Sequence, residues 1–467
     1  MTSTTSAPTT REEMVARGKA ARDVVPLDDL AALDPGVDRD VVGLLAAQGV
    51  SRVPELVPVR HARMSVSAFT FYRGAALPMA ADLARTPSTG LTVQLCGDAH
   101  LANFGVYASP ERQLVFDLND FDETLPGPFE WDVKRLVSSL EIAGRANGFR
   151  RKERARVLLE TAAAYRHAMR EFARQPLRDV WYSHVRIDEE MARVKDHVAP
   201  DRYQAMVDLL AKARGRDTAQ AMRKLTTVVD GRHRIRSDPP LIVPVEDLLP
   251  EWGVEEIYDI LGQVLDQYAE TLVSNRRHLV RQYRLVHVAR KVVGVGSVGT
   301  RAWVMLLESA DGTDFLFLQA KEAQESVLAP YAGASTFDNQ GERVVAGQML
   351  MQAVSDPFLG WQRIVGVDDV QRDYYVRQLR DWKASLPVEE MVPTGLAMYG
   401  RLCATTLARA HARSGNRVEI AAYLGKSDRF ERAIAEFATA YADLNDQDHA
   451  SMVAAIASGD LPAAEEA

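Results

Sequence analysis

A chain of 467 residues, 47% hydrophobic and 26% charged, is long enough to bury a large core over two or three lobes. Its formal net charge of −8 argues against a general nucleic-acid binder, which carries a basic surplus. The only cysteines, Cys96 and Cys403, imply no disulfide framework, and neither a membrane span nor a secretory leader is visible, so the expectation is a cytoplasmic protein with no membrane partner.

The first ten residues and Pro462–Ala467 have the composition of loose tails, and no internal repeat is present. Ala76, Met79, Ala80 and Leu83 are spaced for a helix over 74–86, ended by the turn Pro87-Ser88-Thr89-Gly90. Leu91–Leu95 reads as a strand running into Cys96-Gly97-Asp98, and Phe104–Tyr107 with Leu114–Phe116 carries a hairpin signature. From Trp131 to about Leu279 the pattern is helical, broken near Asp238-Pro239-Pro240, with Arg145–Arg156 as a solvated face. Strand-like runs then follow at Val288–Val293, Ala302–Leu307 and Phe315–Ala320, a helix at Gly341–Val354, strands at Ile364–Val367 and Tyr374–Leu379, and helices over about 395–413 and 428–456.

Two clusters carry chemistry. The first is Gly97-Asp98-Ala99-His100-Leu101-Ala102-Asn103, followed by Phe116-Asp117-Leu118-Asn119-Asp120-Phe121-Asp122. Any one Asp is a common turn residue. As an ordered set, however, a carboxylate and a carboxamide five residues apart, joined by a carboxylate from a returning strand, provide a base for a hydroxyl and oxygen ligands for Mg²⁺. The spacing resembles the catalytic and metal loops of the aminoglycoside phosphotransferase and choline kinase branch of kinase-like enzymes. That resemblance implies Asp98 as catalytic base with His100 in the same loop, Asn103 and Asp117 as metal ligands, and Asp132 as the carboxylate bracing the loop. Cys96 departs from it, standing where the branch usually has His. Asp120 is a further candidate metal ligand, although an outer or merely solvated role stays open for it and for Asp122.

The second cluster is Gly294-Val295-Gly296-Ser297-Val298-Gly299. A second strand follows it, where a dinucleotide fold would have a helix. A Gly-rich turn between antiparallel strands resembles the kinase loop over nucleotide phosphates, with Gly294, Gly296, Ser297 and Gly299 as the contacting residues. Lys321, ending the third strand, resembles the kinase lysine on the α- and β-phosphates. Glu342 is its expected ion-pair partner, with Glu322 and Glu325 in competition. Leu379–Lys383 would be the hinge against which adenine packs. Arg73 and Arg301 are candidate phosphate contacts, with a salt bridge and a solvated face as their respective alternatives; His411 reads as a packed residue.

The catalytic loop near residue 100 precedes the Gly-rich turn near 296, and Gly395–Arg413 resembles the helix that precedes the catalytic loop in that branch. The fold expected is therefore α+β, a two-lobed protein-kinase-like fold that is circularly permuted. It would comprise an N-terminal tail and helices (1–54), a helical catalytic lobe (55–284), a small antiparallel-sheet lobe (285–383) and C-terminal helices (384–467). The segments Phe71-Tyr72-Arg73-Gly74, Cys96–His100, Phe116–Glu123, Trp131–Leu136, Val295–Arg301 and Asp373–Leu379 resemble a bacterial family known as domain-of-unknown-function family 2252 over about 55–455. The function expected is Mg-ATP-dependent phosphoryl transfer to a small molecule or protein hydroxyl, so the partners are a nucleotide and an acceptor. The alternatives are nucleotidyl transfer, a catalytically silent nucleotide-binding regulator and a metal-dependent phosphoesterase.

Overall fold

A computed structural model describes residues 9–292, 294–366, 368–379 and 382–464. Val293, Val367 and Arg380–Asp381, which belong to two expected strand ends and the expected hinge, lie outside the described residues, as do 1–8 and 465–467. The first helix, Arg11–Val24, starts where Thr10 and Glu13 form a reciprocal capping box.

The strands are β1 (Thr92–Leu95), β2 (Phe104–Ala108), β3 (Leu114–Leu118), β4 (Leu125–Pro128), β5 (Val185–Arg186), β6 (Thr226–Val229), β7 (Arg232–Ile235), β8 (Ile242–Pro244), β9 (Tyr283–Lys291), β10 (Ala302–Ser309), β11 (Phe315–Ala323), β12 (Gly360–Val365) and β13 (Gln371–Gln378). With the helices they give a mixed α+β protein. β1 pairs with β4, β2–β3 is a hairpin joined by β5, and β6–β7 is a second hairpin. That second hairpin corrects the helical expectation for 131–279: it turns on Asp230 and Gly231 at φ 50 and 75, an Asp-Gly pair that follows the β-branched run Thr226–Val229.

The largest sheet is antiparallel, in the order β12-β13-β11-β10-β9-β8. It begins at Ile242, ahead of the boundary expected at 285. Strand alternation divides its residues between two faces. Leu307, Leu316, Leu318, Ala320 and Val376 pack with Tyr268, Ala269 and Leu272 around the helix Val254–Glu270. The opposite face carries Ala289, Val304, Leu306 and Phe317, closed at one end by Ala221 and Leu225 of the helix Thr218–Leu225. Toward β13 that same face turns polar: Lys321 is opposite Tyr375, and Gln319 is opposite Arg377.

A helical body supports the β1–β4 region. Its main core joins the helices Phe129–Ala146, Arg151–Phe172, Pro393–Ser414 and Arg429–Ser458, with Phe129 stacked on Tyr165 at 6.0 Å. Lys134 is wholly buried in this core, its Nζ 4.3 Å from the Phe437 ring centroid and donating to Thr86 at 3.4 Å. Burial holds its pKa down to about 8, against the pull of Glu130. The folded state therefore binds this proton less tightly than the unfolded chain. Lys134→Met is expected to raise stability below pH 8 by about 3 kcal/mol, with the gain fading as pH rises toward the unfolded lysine value. Urea unfolding at pH 7 and pH 10 checks this; an equal effect at both would sink it. No helix among the described residues is long and apolar enough to cross a membrane.

Candidate active site

The loop after β1 is fixed from behind. Asp132, in the first turn of Phe129–Ala146, accepts the Cys96 N–H at 2.7 Å and the Gly97 N–H at 3.0 Å. His411 Nε2 lies 3.2 Å from the same carboxylate, and its Nδ1 is 2.8 Å from the Tyr165 hydroxyl. Asp132 thus has its oxygens engaged, is 1% exposed, and braces the loop. Gly97 sits at φ +83, where a Cβ would stand 2.3 Å from the Glu123 carbonyl, so this turn requires glycine.

One helical turn beyond Asp132, Arg135 donates from Nε to Asp98 Oδ1 at 2.8 Å and from Nη2 to the Tyr72 carbonyl at 2.7 Å. The other Asp98 oxygen, Oδ2, is 3.6 Å from His100 Nε2. Burial raises the Asp98 pKa despite Arg135, and burial together with Arg135 and Arg73 keeps His100 well below its usual value, hence neutral. His100 is 3% exposed, and its Nδ1 has no partner among the described residues. Asn103 donates its amide to the Asp98 carbonyl at 2.7 Å, which locks the loop onto itself.

Past β3 the chain delivers two carboxylates. Lys321 Nζ, 2% exposed at the end of β11, lies 2.6 Å from Asp122 and 3.8 Å from Asp120. Tyr375, its cross-strand neighbour, donates to Asp122 at 2.5 Å. Burial works against both charges, yet the pair more than offsets it: Lys321 is raised, and Asp122 is held down to about 2. Asp120 moves the other way, raised by burial and by the neighbouring Asp122. Arg343 holds the loop by its main chain, donating to the carbonyls of Asp122 (2.9 Å) and Thr124 (2.6 Å). From the Gly-rich turn, Ser297 Oγ reaches Asp122 at 3.3 Å. Gly296 has no room for a side chain without pressing on the Arg73 carbonyl at 3.1 Å, while Gly294 and Gly299 adopt φ +68 and +89.

Two expectations differ from this geometry. Asp117 does not join the cluster: it is 2% exposed, and Arg409 of Pro393–Ser414 donates to it at 2.5 Å. It still lies within β3, whose alternation sends it toward that helix; the carboxylates that reach Lys321, Asp120 and Asp122, come after the strand ends at Leu118. Nor does Glu342 pair with Lys321. Its N–H is capped by Asn339 at 3.1 Å, and the next residue, Arg343, is the one that faces the acidic loop. Glu322 is taken by Arg301 at 3.2 Å. The sequence reading also missed Arg135, Tyr375 and Arg343. Arg135 had a signal, since i,i+3 spacing from Asp132 places both on one helix face.

Asp98, Asp120, Asp122, Lys321 and Ser297 thus come from a loop, a strand end and a turn remote in sequence, in an α+β protein. Over residues 52–455 the chain matches the model of a family described as an uncharacterized protein conserved in bacteria (DUF2252), and it belongs to that family. No curated protein and no solved structure matches it.

Proposed function

We propose that this protein is an ATP-dependent phosphotransferase with a circularly permuted, kinase-like arrangement of lobes. The observation that carries this reading is the contact of Lys321 with Asp122, 2.6 Å apart in space and 199 residues apart in sequence, with Ser297 of the Gly-rich turn on the same carboxylate. A buried lysine is usually paired with an anionic partner. Here the partner lies in the acidic loop that follows Asp98, and the lysine lies beside a turn built for close backbone approach.

The donor set suits Mg-ATP. Among the described residues no group of three His, Cys, Asp or Glu side chains could hold a metal on its own. Magnesium, however, commonly takes one or two carboxylates and completes its shell with phosphate oxygens and water. Asp120 and Asp122 would supply the carboxylates and Asn103 its amide oxygen; the bound ion would neutralise charge on the phosphates. The chain's own groups do the remainder. Lys321 draws phosphate oxygens toward the sheet, and the Gly-rich turn covers them. Asp98, steadied through Oδ1 by Arg135, orients the acceptor hydroxyl and takes its proton on the second oxygen. Its raised pKa makes it the stronger base.

Titration calorimetry of ATP with and without Mg²⁺ tests the reading. Mg²⁺-dependent binding weakened at least about tenfold by Lys321→Ala, on the scale of one lost charge-assisted contact, is the expected result. Absence of ATP binding by the wild-type protein would overturn it and turn attention to hydrolysis at Asp98 and His100.

A further inference from the structure

The Gly-rich turn rests on an unbalanced group of arginines. Arg60 is 0% exposed and Arg52 7%. Arg52 donates from Nη1 to the Val298 carbonyl, and its Nε has no partner. Arg60 donates from Nη2 to Gln48 at 2.6 Å and to the Gly74 carbonyl at 3.0 Å, while its Nε and Nη1 are both unpartnered. Among the described residues neither guanidinium forms an ion pair with a carboxylate; Asp122, Glu123 and Glu322 act on Arg52 only through their field, and Arg60 feels Arg52 itself as a repelling charge. Arg73 continues the row toward Asp98, its Nε buried and unpartnered.

Burying a guanidinium without a counter-charge costs several kcal/mol, and arginine cannot escape by losing its proton. Two such groups side by side amount to a standing deficit of negative charge. They lie against the turn: Arg52 donates to the Val298 carbonyl, a Cβ at Gly299 would stand 3.1 Å from the Arg52 side chain, and one at Gly294, at φ +68, would meet nothing within 4 Å. The acceptors they hold are two main-chain carbonyls and the Gln48 amide oxygen, which bring a partial charge where an oxyanion would bring a full one.

We propose that Arg52 and Arg60 form a phosphate-binding subsite beneath the Gly-rich turn. A phosphate group would displace the Val298 carbonyl and take the unpartnered nitrogens. The inference deepens the phosphotransferase reading, on which it depends only for the source of that phosphate: the nucleotide, or a phosphorylated acceptor.

Thermal unfolding with inorganic phosphate and with pyrophosphate is the test, on wild type, Arg60→Met, Arg52→Gln and Lys321→Ala. The wild-type midpoint should rise by roughly 2–4 °C at saturating anion. Arg60→Met should melt higher than wild type without anion, because a buried charge is gone, and should lose the response. Arg52→Gln should lose the response as well, and decides alone where Arg60→Met does not fold. Lys321→Ala should keep it. A tenfold loss of ATP affinity in Arg52→Gln assigns the phosphate to the nucleotide; unchanged ATP affinity with the phosphate response lost assigns it to the acceptor. No wild-type response overturns the subsite. So does a response kept by both arginine variants and lost in Lys321→Ala, an outcome that leaves the phosphotransferase reading standing.

Discussion

Asp98→Asn is expected to slow ATP turnover by roughly 10²–10⁴-fold, the range for removing a positioned base, and to leave ATP affinity nearly unchanged. The substitution is almost isosteric. Arg135 can still donate to the remaining carbonyl oxygen, and it keeps the Tyr72 carbonyl at 2.7 Å and the Tyr72 ring at 4.0 Å. The loop behind it is fixed through the main chain by Asp132 and so does not depend on the Asp98 side chain. What is lost is proton acceptance at the oxygen that Arg135 leaves free. ADP release measured beside calorimetric ATP binding separates these effects. Normal turnover by Asp98→Asn would remove Asp98 from the chemistry; a parallel collapse of ATP affinity would make it part of the nucleotide site instead.

How much was legible in the sequence followed from what local pattern can encode. Asp132, which holds the loop, came from the resemblance alone, whereas the Gly97–Asn103 loop, the β2–β3 hairpin and five of the six strands of the large sheet stand close to where residue spacing put them. These are local signals: alternation and turn residues. β8 escaped because three residues have too little alternation to register. The β6–β7 hairpin escaped because a long helical pattern on either side masked a clear Asp-Gly turn. The site was half legible. Which aspartate reaches Lys321 depends on where β3 stops, and strand ends are the least certain part of any pattern. The choice of partner for Lys321 is a tertiary matter: Glu342 and Asp122 are both acidic, and only the path of the chain between them selects Asp122. The arginines beneath the Gly-rich turn had no sequence signal, because a buried Arg and a solvated one look alike until the packing is known.

The second large effect separates Asp117 from Asp120, three residues further along the chain. Asp117→Ala should cost about 3–5 kcal/mol of stability, since it strands Arg409, itself 2% exposed, as an uncompensated buried charge. The folded variant should still bind Mg-ATP as wild type does, because Asp117 pairs with Arg409 of the Pro393–Ser414 helix and not with Lys321. Asp120→Ala should behave in the opposite way. Its side chain is 29% exposed, and Lys321 keeps the closer carboxylate, Asp122, at 2.6 Å, so stability should change little. The Mg²⁺-dependent part of ATP binding should be lost with it. Denaturant unfolding and calorimetry on both variants read the two axes independently. A third variant sharpens the first axis: Asp117→Leu combined with Arg409→Met removes both charges, and should recover most of the loss because two apolar groups of similar size can replace a buried ion pair. If Asp117→Ala abolished the metal dependence while Asp120→Ala kept it, the metal would belong at the end of β3, and the Arg409 pair would have to open for it to bind.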